Sequence, residues 1–394
     1  MSRHLDIIVV GAGLGGLAAA VAILSTNLLG GSSSVTVLEA ASELGEIGAG
    51  IQVTPNFTRL MHRWGLATQL EQWGVKPQQM RQLRWQDSKE LSRRDGNADN
   101  LIEKMYGVPY YQIHRADLHA MLLARAKELG ANVHTHSVVE KYECGTKERR
   151  DSVTTTDGRR FEADLIVAAD GCKSILANIV LGEKRPATPT GDSAYRALLT
   201  REQISDPDLA DLQLEQGSVV WMGPDSHVVG YLVRGGENYN LVIIVPDSEE
   251  ETKEESWKLP GDMQRLRNFF RNWDWRLRKI LNKIESSYIW NLRDRPALER
   301  WLHPHGNLVL LGDSAHPMLP YVAQGASSAA EDAAALAECL TFINEQRSLR
   351  DVLEVYQRLR IPRALGMRNA ARSNRDFFQM PDGLIFRLVQ KHWC

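Results

Sequence analysis

Cysteine is scarce. Cys144, Cys172, Cys339 and Cys394 are the only four in 394 residues, and no two of them form a C-x-x-C pair. That spacing excludes a disulfide framework, a cysteine-built zinc site and a dithiol redox centre, and it fits a reducing interior. Long hydrophobic runs are missing as well. No stretch approaches the ~20 uninterrupted apolar residues of a membrane-crossing helix, and the start runs directly into Ile7-Ile8-Val9-Val10, too short for a signal peptide. Neither charge dominates: 47 basic and 49 acidic residues leave a formal net charge of -2, so bulk electrostatics draw the chain neither to nucleic acid nor to an anionic membrane. Internal repeats and long low-complexity segments are absent too. The expectations are a cytoplasmic protein, monomer or homodimer, with no metal site, no nucleic-acid partner and no membrane span.

What is present is a chain with 43% hydrophobic residues, long enough for two closely packed domains and a deep, water-free pocket. Ile7 to Val10 is a β-branched run ending in glycines, Leu14 to Leu24 has alanine-rich helical composition, and Val35 to Glu39 reads as a second buried strand, together a βαβ unit. Gly30 to Ser34 reads as an exposed linker. Residues 55 to 73 read as a helix, Gln78 to Asn100 as an exposed hairpin, and Arg115 to Leu129 as a helix with apolar residues at helical spacing. Val133 to Tyr142, Val153 to Thr156 and Leu165 to Ala168 read as strands. From about 186 to 295 the pattern changes. Val219 to Met222, His227 to Val233 and Leu241 to Val245 suggest a separate, mostly antiparallel sheet, followed by a charged segment, Glu249 to Lys258, and a helix around Phe269 to Ile284. Leu308 to Leu311 and Ala326 to Leu340 then resume the first pattern. Trp257, Trp273, Trp275, Trp290 and Trp301 invite an aromatic cage, but the helical spacing around Trp273 favours core packing.

Gly11-Ala12-Gly13-Leu14-Gly15-Gly16 fits G-x-G-x-x-G between a strand and a helix. The first glycine allows the tight turn, the second lets backbone approach a phosphate, and the third lets the helix pack on the strand, leaving a pyrophosphate at the helix N-terminus. Glu39 ends the next strand about 20 residues on, where an acid accepts a hydrogen bond from a ribose hydroxyl. This fingerprint fits NAD and FAD equally.

A second signal chooses between them. Gly312-Asp313-Ser314-Ala315-His316-Pro317, its continuation Met318 to Ala326, and Glu331-Asp332-Ala333 resemble the G-D motif region of class A flavoprotein monooxygenases, the para-hydroxybenzoate hydroxylase family, in its salicylate hydroxylase branch. Asp164 to Ser174 is similar to that family's D-G motif, although Leu176-Ala177-Asn178 stands where a valine and arginine are usual. The three signals fall in the family's order over roughly residues 1 to 375. The fold the resemblance implies is α/β: a Rossmann-like FAD-binding domain of the glutathione-reductase type (1–75, 101–185 and 296–375), an inserted, mostly antiparallel substrate sheet (76–100 and 186–295) and C-terminal helices. The tail, 376–394, runs from Leu384 to Cys394 more briefly than in relatives, which leaves truncation, alternative splicing or a shortened chain open.

The same resemblance implies FAD held by Gly11, Gly13, Leu14, Gly16 and Glu39 at the adenosine end, with Val138 beside them. It places Gly50, Arg115, Asp170, Gly171 and Asp313 along the phosphates and ribityl chain, and Pro320, Gly325 and Ala326 at the flavin. A carboxylate suits ribityl hydroxyls, an arginine fork suits phosphate, and the helix opening near Gly325 directs its positive end at the flavin edge. NADPH or NADH would reduce the flavin, dioxygen would add at C4a to give a hydroperoxide, and one oxygen would pass to an electron-rich aromatic ring. Arg196 and Tyr231 resemble the pair that holds the substrate phenolate in fungal dearomatising members. An arginine there would favour the ionised phenol. His227 and His316 are further candidates for proton transfer, each more often structural. An indole or other non-phenolic ring remains an alternative, as does a non-catalytic flavin binder. A flavin-dependent halogenase would carry W-x-W-x-I-P, which Trp273-Asp274-Trp275-Arg276 does not continue, and a disulfide reductase would need more than the weak Gly48-Ala49-Gly50 echo.

Overall fold

The computed structural model describes residues 4–26, 33–45, 49–95, 101–248, 259–381 and 383. The linker glycines Gly30 and Gly31, Gly48, the far end of the 78–100 hairpin, the 249–258 segment with Trp257, and the tail beyond Gly383 lie outside these residues.

Five short strands form a wholly parallel sheet: β1 (Asp6–Val10), β2 (Ser34–Leu38), β7 (Asn132–His134), β11 (Leu165–Ala168) and β18 (Leu308–Leu310), in the order β18-β11-β1-β2-β7. β1, β11 and β18 are apolar at nearly every position because both faces of the sheet are covered by packed elements, and all three are buried. The helix Leu14–Ser25 packs against the helix Gly325–Leu340 at small residues: a side chain on Gly15 would stand 3.3 Å from both Ala329 Cβ and Leu311 Cδ2. Two smaller antiparallel sheets flank this layer. One pairs β3 (Gly50–Val53) with β6 (Tyr111–His114); the other joins β8 (Val139–Glu143), β9 (Asp151–Thr155) and β10 (Arg160–Ala163).

The fourth sheet has eight strands: β4 (Gln79–Arg84), β5 (Glu90–Asp95), β12 (Thr188–Thr200), β13 (Gly217–Gly223), β14 (Ser226–Val233), β15 (Asn238–Pro246), β16 (Leu259–Pro260) and β17 (Tyr288–Asp294). Their order is β16-β17-β12-β15-β14-β13-β4-β5, antiparallel throughout except that β13 and β4 run parallel. Alternation sorts its side chains. Tyr195, Leu199, Leu241, Ile243, Val228 and Trp221 point to one face, into a core closed by Leu266, Leu277 and Ile280 of the helices Met263–Phe269 and Trp275–Asn282. Full burial of each such leucine or isoleucine stabilises by roughly 2 kcal/mol. The opposite face carries Arg196, Tyr231, Asn240, Val242 and Val229, and turns toward the dinucleotide-type layer: Ile244 and Ala194 there pack with Leu319, Tyr321 and Ala371.

Three expected elements are broken in identifiable places. The 55–73 helix is two, Pro55–Arg63 and Ala67–Trp73, because Gly65 between them takes φ +79°. The 133–142 strand divides into β7 and β8 around His136, at φ +50°. The helix expected over Phe269 to Ile284 restarts at Trp275, where the Asp274 carboxylate accepts the Arg276 N–H at 2.7 Å as an N-cap. The tryptophans split too. Trp273 and Trp301 are core residues, Trp290 is half-buried, and Trp275 is 51% exposed, contrary to the packing expectation. The chain's longest helix, Leu349–Phe378, opens with a Ser348–Asp351 capping box and spans about 45 Å. It ties the layers together through Arg360 to Asp332, Arg368 to Asp294 and Arg375 to Asp192. Among the described residues no helix is long and apolar enough to cross a membrane.

Candidate functional site

The glycine turn shows a separate physical reason for each glycine. Gly11 takes φ +102°, and a side chain there would meet the Ala169 carbonyl oxygen at 2.4 Å; one on Gly16 would stand 1.9 Å from the Gly11 carbonyl oxygen. Gly13, the N-cap of the helix beginning at Leu14, faces open space and offers no side-chain cap, so the first-turn N–H groups point into the opening. Glu39 latches the loop: its Oε2 accepts the Ala12 N–H at 2.7 Å and its Oε1 the Ala41 N–H at 2.8 Å. His119 Nε2 donates to the Ala12 carbonyl at 2.8 Å. Val138 is exposed beside this corner, next to Ser137, whose N–H bonds the Glu39 carbonyl.

Asp170 and Gly171 follow β11, and Gly312 and Asp313 follow β18, so these pairs and the glycine turn all lie at the carboxyl ends of neighbouring parallel strands, where such sheets bind ligands. Asp170 Oδ2 accepts the Ile175 N–H at 3.1 Å, whereas its buried Oδ1 has no partner among the described residues, and burial raises the carboxyl. Gly171, at φ +78°, faces open space. Asp313 has an accessible surface although protein surrounds it, as on the wall of a deep recess; that surrounding mass raises its carboxyl, with His316 and Arg115 pulling the other way. Arg115 opens the helix Arg115–Glu128, and its N–H bonds the Ala49 carbonyl at 2.9 Å. Burial lowers its guanidinium, with Asp313 partly offsetting that.

Behind Asp313 sits a fully buried ionic cluster. Asp332, on the helix Gly325–Leu340, accepts the Gly312 N–H at 3.0 Å, His316 Nε2 at 2.5 Å and Arg360 Nε at 2.6 Å. Burial alone would raise Asp332 and lower His316, but their mutual attraction reverses both: the carboxyl is held below its ordinary range and the imidazolium above. His316 is thus hydrogen-bonded to Asp332 within the buried cluster.

The facing sheet carries Arg196 and Tyr231 on one face. Arg196, on β12, stacks over the Trp290 ring at 4.3 Å, and its Nε has no hydrogen-bond partner among the described residues. Burial brings the guanidinium down to about 10, with Tyr231 opposing and Arg115 adding to the shift. Burial raises the Tyr231 phenol, with Arg196 opposing. Gly50 meets this face directly. Its N–H bonds Asn240 Oδ1 at 2.7 Å, and a side chain at Gly50 would stand 2.6 Å from Tyr231 Cε2. Half-buried Val220, Val229 and Val242 pair across neighbouring strands in line with Arg196 and make an apolar floor. Pro320 begins a turn whose Tyr321 hydroxyl donates to Asp192 Oδ2 at 2.5 Å, and Gly325 and Ala326 open the following helix.

His227 is buried, 2% exposed. Burial between Tyr321 and Phe378 brings it down to about 3, with Asp192 opposing and Arg375 adding. Asn240 was not singled out by sequence; Trp290 was read with the other tryptophans as core packing, and Asp332 entered only within the Glu331-Asp332-Ala333 stretch of the resemblance, with no role of its own. A separate hollow of about 390 Å³, lined by Tyr195, Val245, Arg265 and Phe269, opens on the opposite face of the sheet and touches none of these residues.

The donor set suits a flavin dinucleotide: a phosphate-ready helix terminus, an acid at the end of the next strand, a carboxylate in a recess and a buried carboxylate oxygen with no partner among the described residues. A matching family model, described as FAD binding domain, covers residues 4–371. Over 389 residues the chain is 39% identical to the FAD-dependent monooxygenase OpS4 of Beauveria bassiana (strain ARSEF 2860), covering 96% of this chain and 86% of that one. It is 34% identical to the 3-amino-4-hydroxybenzoate 2-monooxygenase PtnB3 of Streptomyces platensis, covering 97% and 90%. A salicylate hydroxylase substrate complex shares the fold with a TM-score of 0.79 at 23% identity, covering 98% of this chain and 91% of that one. Fold, site and relatives together define a single-component flavoprotein monooxygenase. The chain belongs to the FAD binding domain family of class A flavin monooxygenases.

Proposed function

We propose that this protein is an NADPH- or NADH-consuming hydroxylase of a phenolic aromatic ring. The observation that carries the reading is Arg196: a guanidinium surrounded by protein, stacked on Trp290, next to Tyr231 and with an unmet N–H, set on the sheet face that turns toward Asp313 and Arg115. A cation so placed attracts an anionic ring oxygen and lowers the pKa of a bound phenol. Tyr231, raised by burial, stays protonated and can donate to the same oxygen. The valine floor holds the ring and excludes water.

The cofactor would lie with its pyrophosphate on the Gly11–Gly16 turn, its adenosine ribose toward Glu39 and Val138, and its ribityl chain along Asp313, Arg115 and Asp170. Gly50, Gly171, Pro320, Gly325 and Ala326 would supply backbone at its inner end. The flavin supplies the reduction of dioxygen and the transfer of one oxygen atom. The chain's own residues bind and ionise the substrate, fix it against the sheet and keep the chamber dry. Substrate-stimulated NAD(P)H oxidation under labelled dioxygen is expected to place one labelled atom in the phenolic product. Oxidation that yields only hydrogen peroxide with every phenol tried would refute the reading.

A further inference from the structure

Beside Arg196 and Tyr231 the structure holds a second polar surface. β6 alternates: Tyr111 and Ile113 enter the main core, so Tyr110, Gln112 and His114 turn the other way. That way faces the eight-stranded sheet. Gly50 and His114 are directly paired across β3 and β6, partners in an antiparallel pair project to the same side, and the side chain that Gly50 lacks would run into Tyr231 and Asn240. Tyr110 is close enough to Tyr231 for the charge of that phenol to raise its own pKa, after burial.

Five buried polar atoms there have no hydrogen-bond partner among the described residues: Tyr110 Oη, Gln112 Nε2 and Oε1, His114 Nδ1 and Asn240 Nδ2. The Gln112 amide lies next to the Tyr110 hydroxyl and favours that phenol's ionised form as a hydrogen-bond donor would, so these two can serve each other only in part. Buried polar atoms are almost always fully partnered, so a cluster left short of partners, with His114 Nδ1 and Asn240 Nδ2 beside the Tyr110–Gln112 pair, points to a polar guest at the edge of a binding chamber. The set is also uncharged. Burial lowers His114, Arg234 adds to that and Asp117 opposes it, which favours the neutral imidazole among amides and a phenol.

We propose that Tyr110, Gln112, His114 and Asn240 form a second subsite, which takes an uncharged hydroxyl or carbonyl substituent of the aromatic substrate while Arg196 and Tyr231 hold its ionised or phenolic oxygen. The substrate class is then an aromatic ring with at least two oxygen substituents, one met by charge and the other by neutral dipoles. A carboxylate in the second position would lie among dipoles with no cation of the subsite to pair it. This assignment rests on the function proposed above and adds selectivity to it.

The test is equilibrium binding to the FAD-loaded enzyme, read from the flavin absorbance change without NAD(P)H, so that turnover plays no part. The probes are phenol, resorcinol and hydroquinone, with 3- and 4-hydroxybenzoate as charged counterparts. One of the two diphenols is expected to bind about tenfold more tightly than phenol, and its carboxylate counterpart not to share the gain. Gln112→Leu should remove the diphenol's advantage and leave the phenol Kd within about twofold. Tyr110→Phe, which deletes one hydroxyl and leaves the packing, should remove part of it. Equal losses for phenol and diphenol, or a wild-type enzyme that prefers the carboxylates, would overturn the subsite and leave the hydroxylase reading standing. Failure of every phenol to perturb the flavin would overturn both.

Discussion

Asp332→Asn tests how the loop that presents Asp313 is held. The carboxylate serves three donors at once, the Gly312 N–H, His316 Nε2 and Arg360 Nε, with no water-exposed surface of its own. An amide keeps one acceptor oxygen but sets an NH2 against the remaining donors and removes the charge that His316 and Arg360 need. Breaking a buried pair by removing one partner costs about 3–5 kcal/mol. For 394 residues the unfolding entropy is near 0.8 kcal/mol/K, so the loss corresponds to a Tm drop of roughly 4–6 °C. The pH dependence has a definite sign. Asp332 is held below its ordinary pKa, so its contribution is present above about pH 4 and fades as pH falls through the lower folded value. His316 is held above its ordinary pKa, so its contribution is present below about pH 6.5 and is lost as pH rises through the higher folded value. Differential scanning fluorimetry of the FAD-free enzyme should therefore show the widest gap between wild type and variant at pH 5–6 and a narrower one at pH 9. A gap under about 1 °C, or one equal at both pH values, would refute the reasoning.

Gly16→Ala places a methyl 1.9 Å from the Gly11 carbonyl oxygen, which is backbone and cannot rotate away. FAD affinity, read by flavin fluorescence, should fall by at least about a hundredfold, equivalent to roughly 2.7 kcal/mol, and a loss under about fivefold would count against the turn. Arg196→Lys keeps the charge but loses the planar stacking on Trp290, a loss of about 1–2 kcal/mol. KM for a phenolic substrate should rise about tenfold while the FAD Kd moves less than about twofold; equal changes in both would assign Arg196 to the cofactor instead. His227 stays neutral in the fold down to about pH 3, so the unfolded state, which takes its proton near pH 6.5, gains as pH falls. That difference is worth roughly 2 kcal/mol between pH 7 and 5. Tm should therefore fall less on acidification in His227→Gln than in wild type, whereas an inflection in kcat/KM near pH 6.5 that disappears in the variant would restore a proton-transfer role.

The parts legible in the sequence are those set by near neighbours. The Gly11–Gly16 turn, the apolar strands around it and the loops after β11 and β18 each carry their own local requirement, whether a positive φ, a close approach or burial on both faces. The likeness to class A monooxygenases then gave the order in which these pieces meet. What stayed hidden depends on contacts between distant segments. Asn240 reaches the Gly50 N–H across 190 residues, and Arg360 finds Asp332 from another helix 28 residues on. Nothing in the neighbourhood of Trp290 says that its ring will lie under Arg196. The helix breaks at Gly65 and Asp274 were open to reading, since a glycine and a capping aspartate were both in place.

The same long-range contacts explain how two sheets from different stretches of chain can form one chamber at fixed spacing. Arg360 anchors the last helix to Asp332 beneath the Asp313 loop, and two turns on, Arg368 anchors it to Asp294 at the end of β17. Further along, Arg375 pairs with Asp192 on β12, the same carboxylate that accepts the Tyr321 hydroxyl from the loop preceding Gly325. Asp192 lies four residues before Arg196 on the same strand. The helix thus sets the strand that carries Arg196, the proposed substrate cation, against the loop at the inner end of the proposed cofactor site, and displacement of Asp192 would move both together. The unit that positions the chemistry is therefore the helix with its three arginines as much as either sheet.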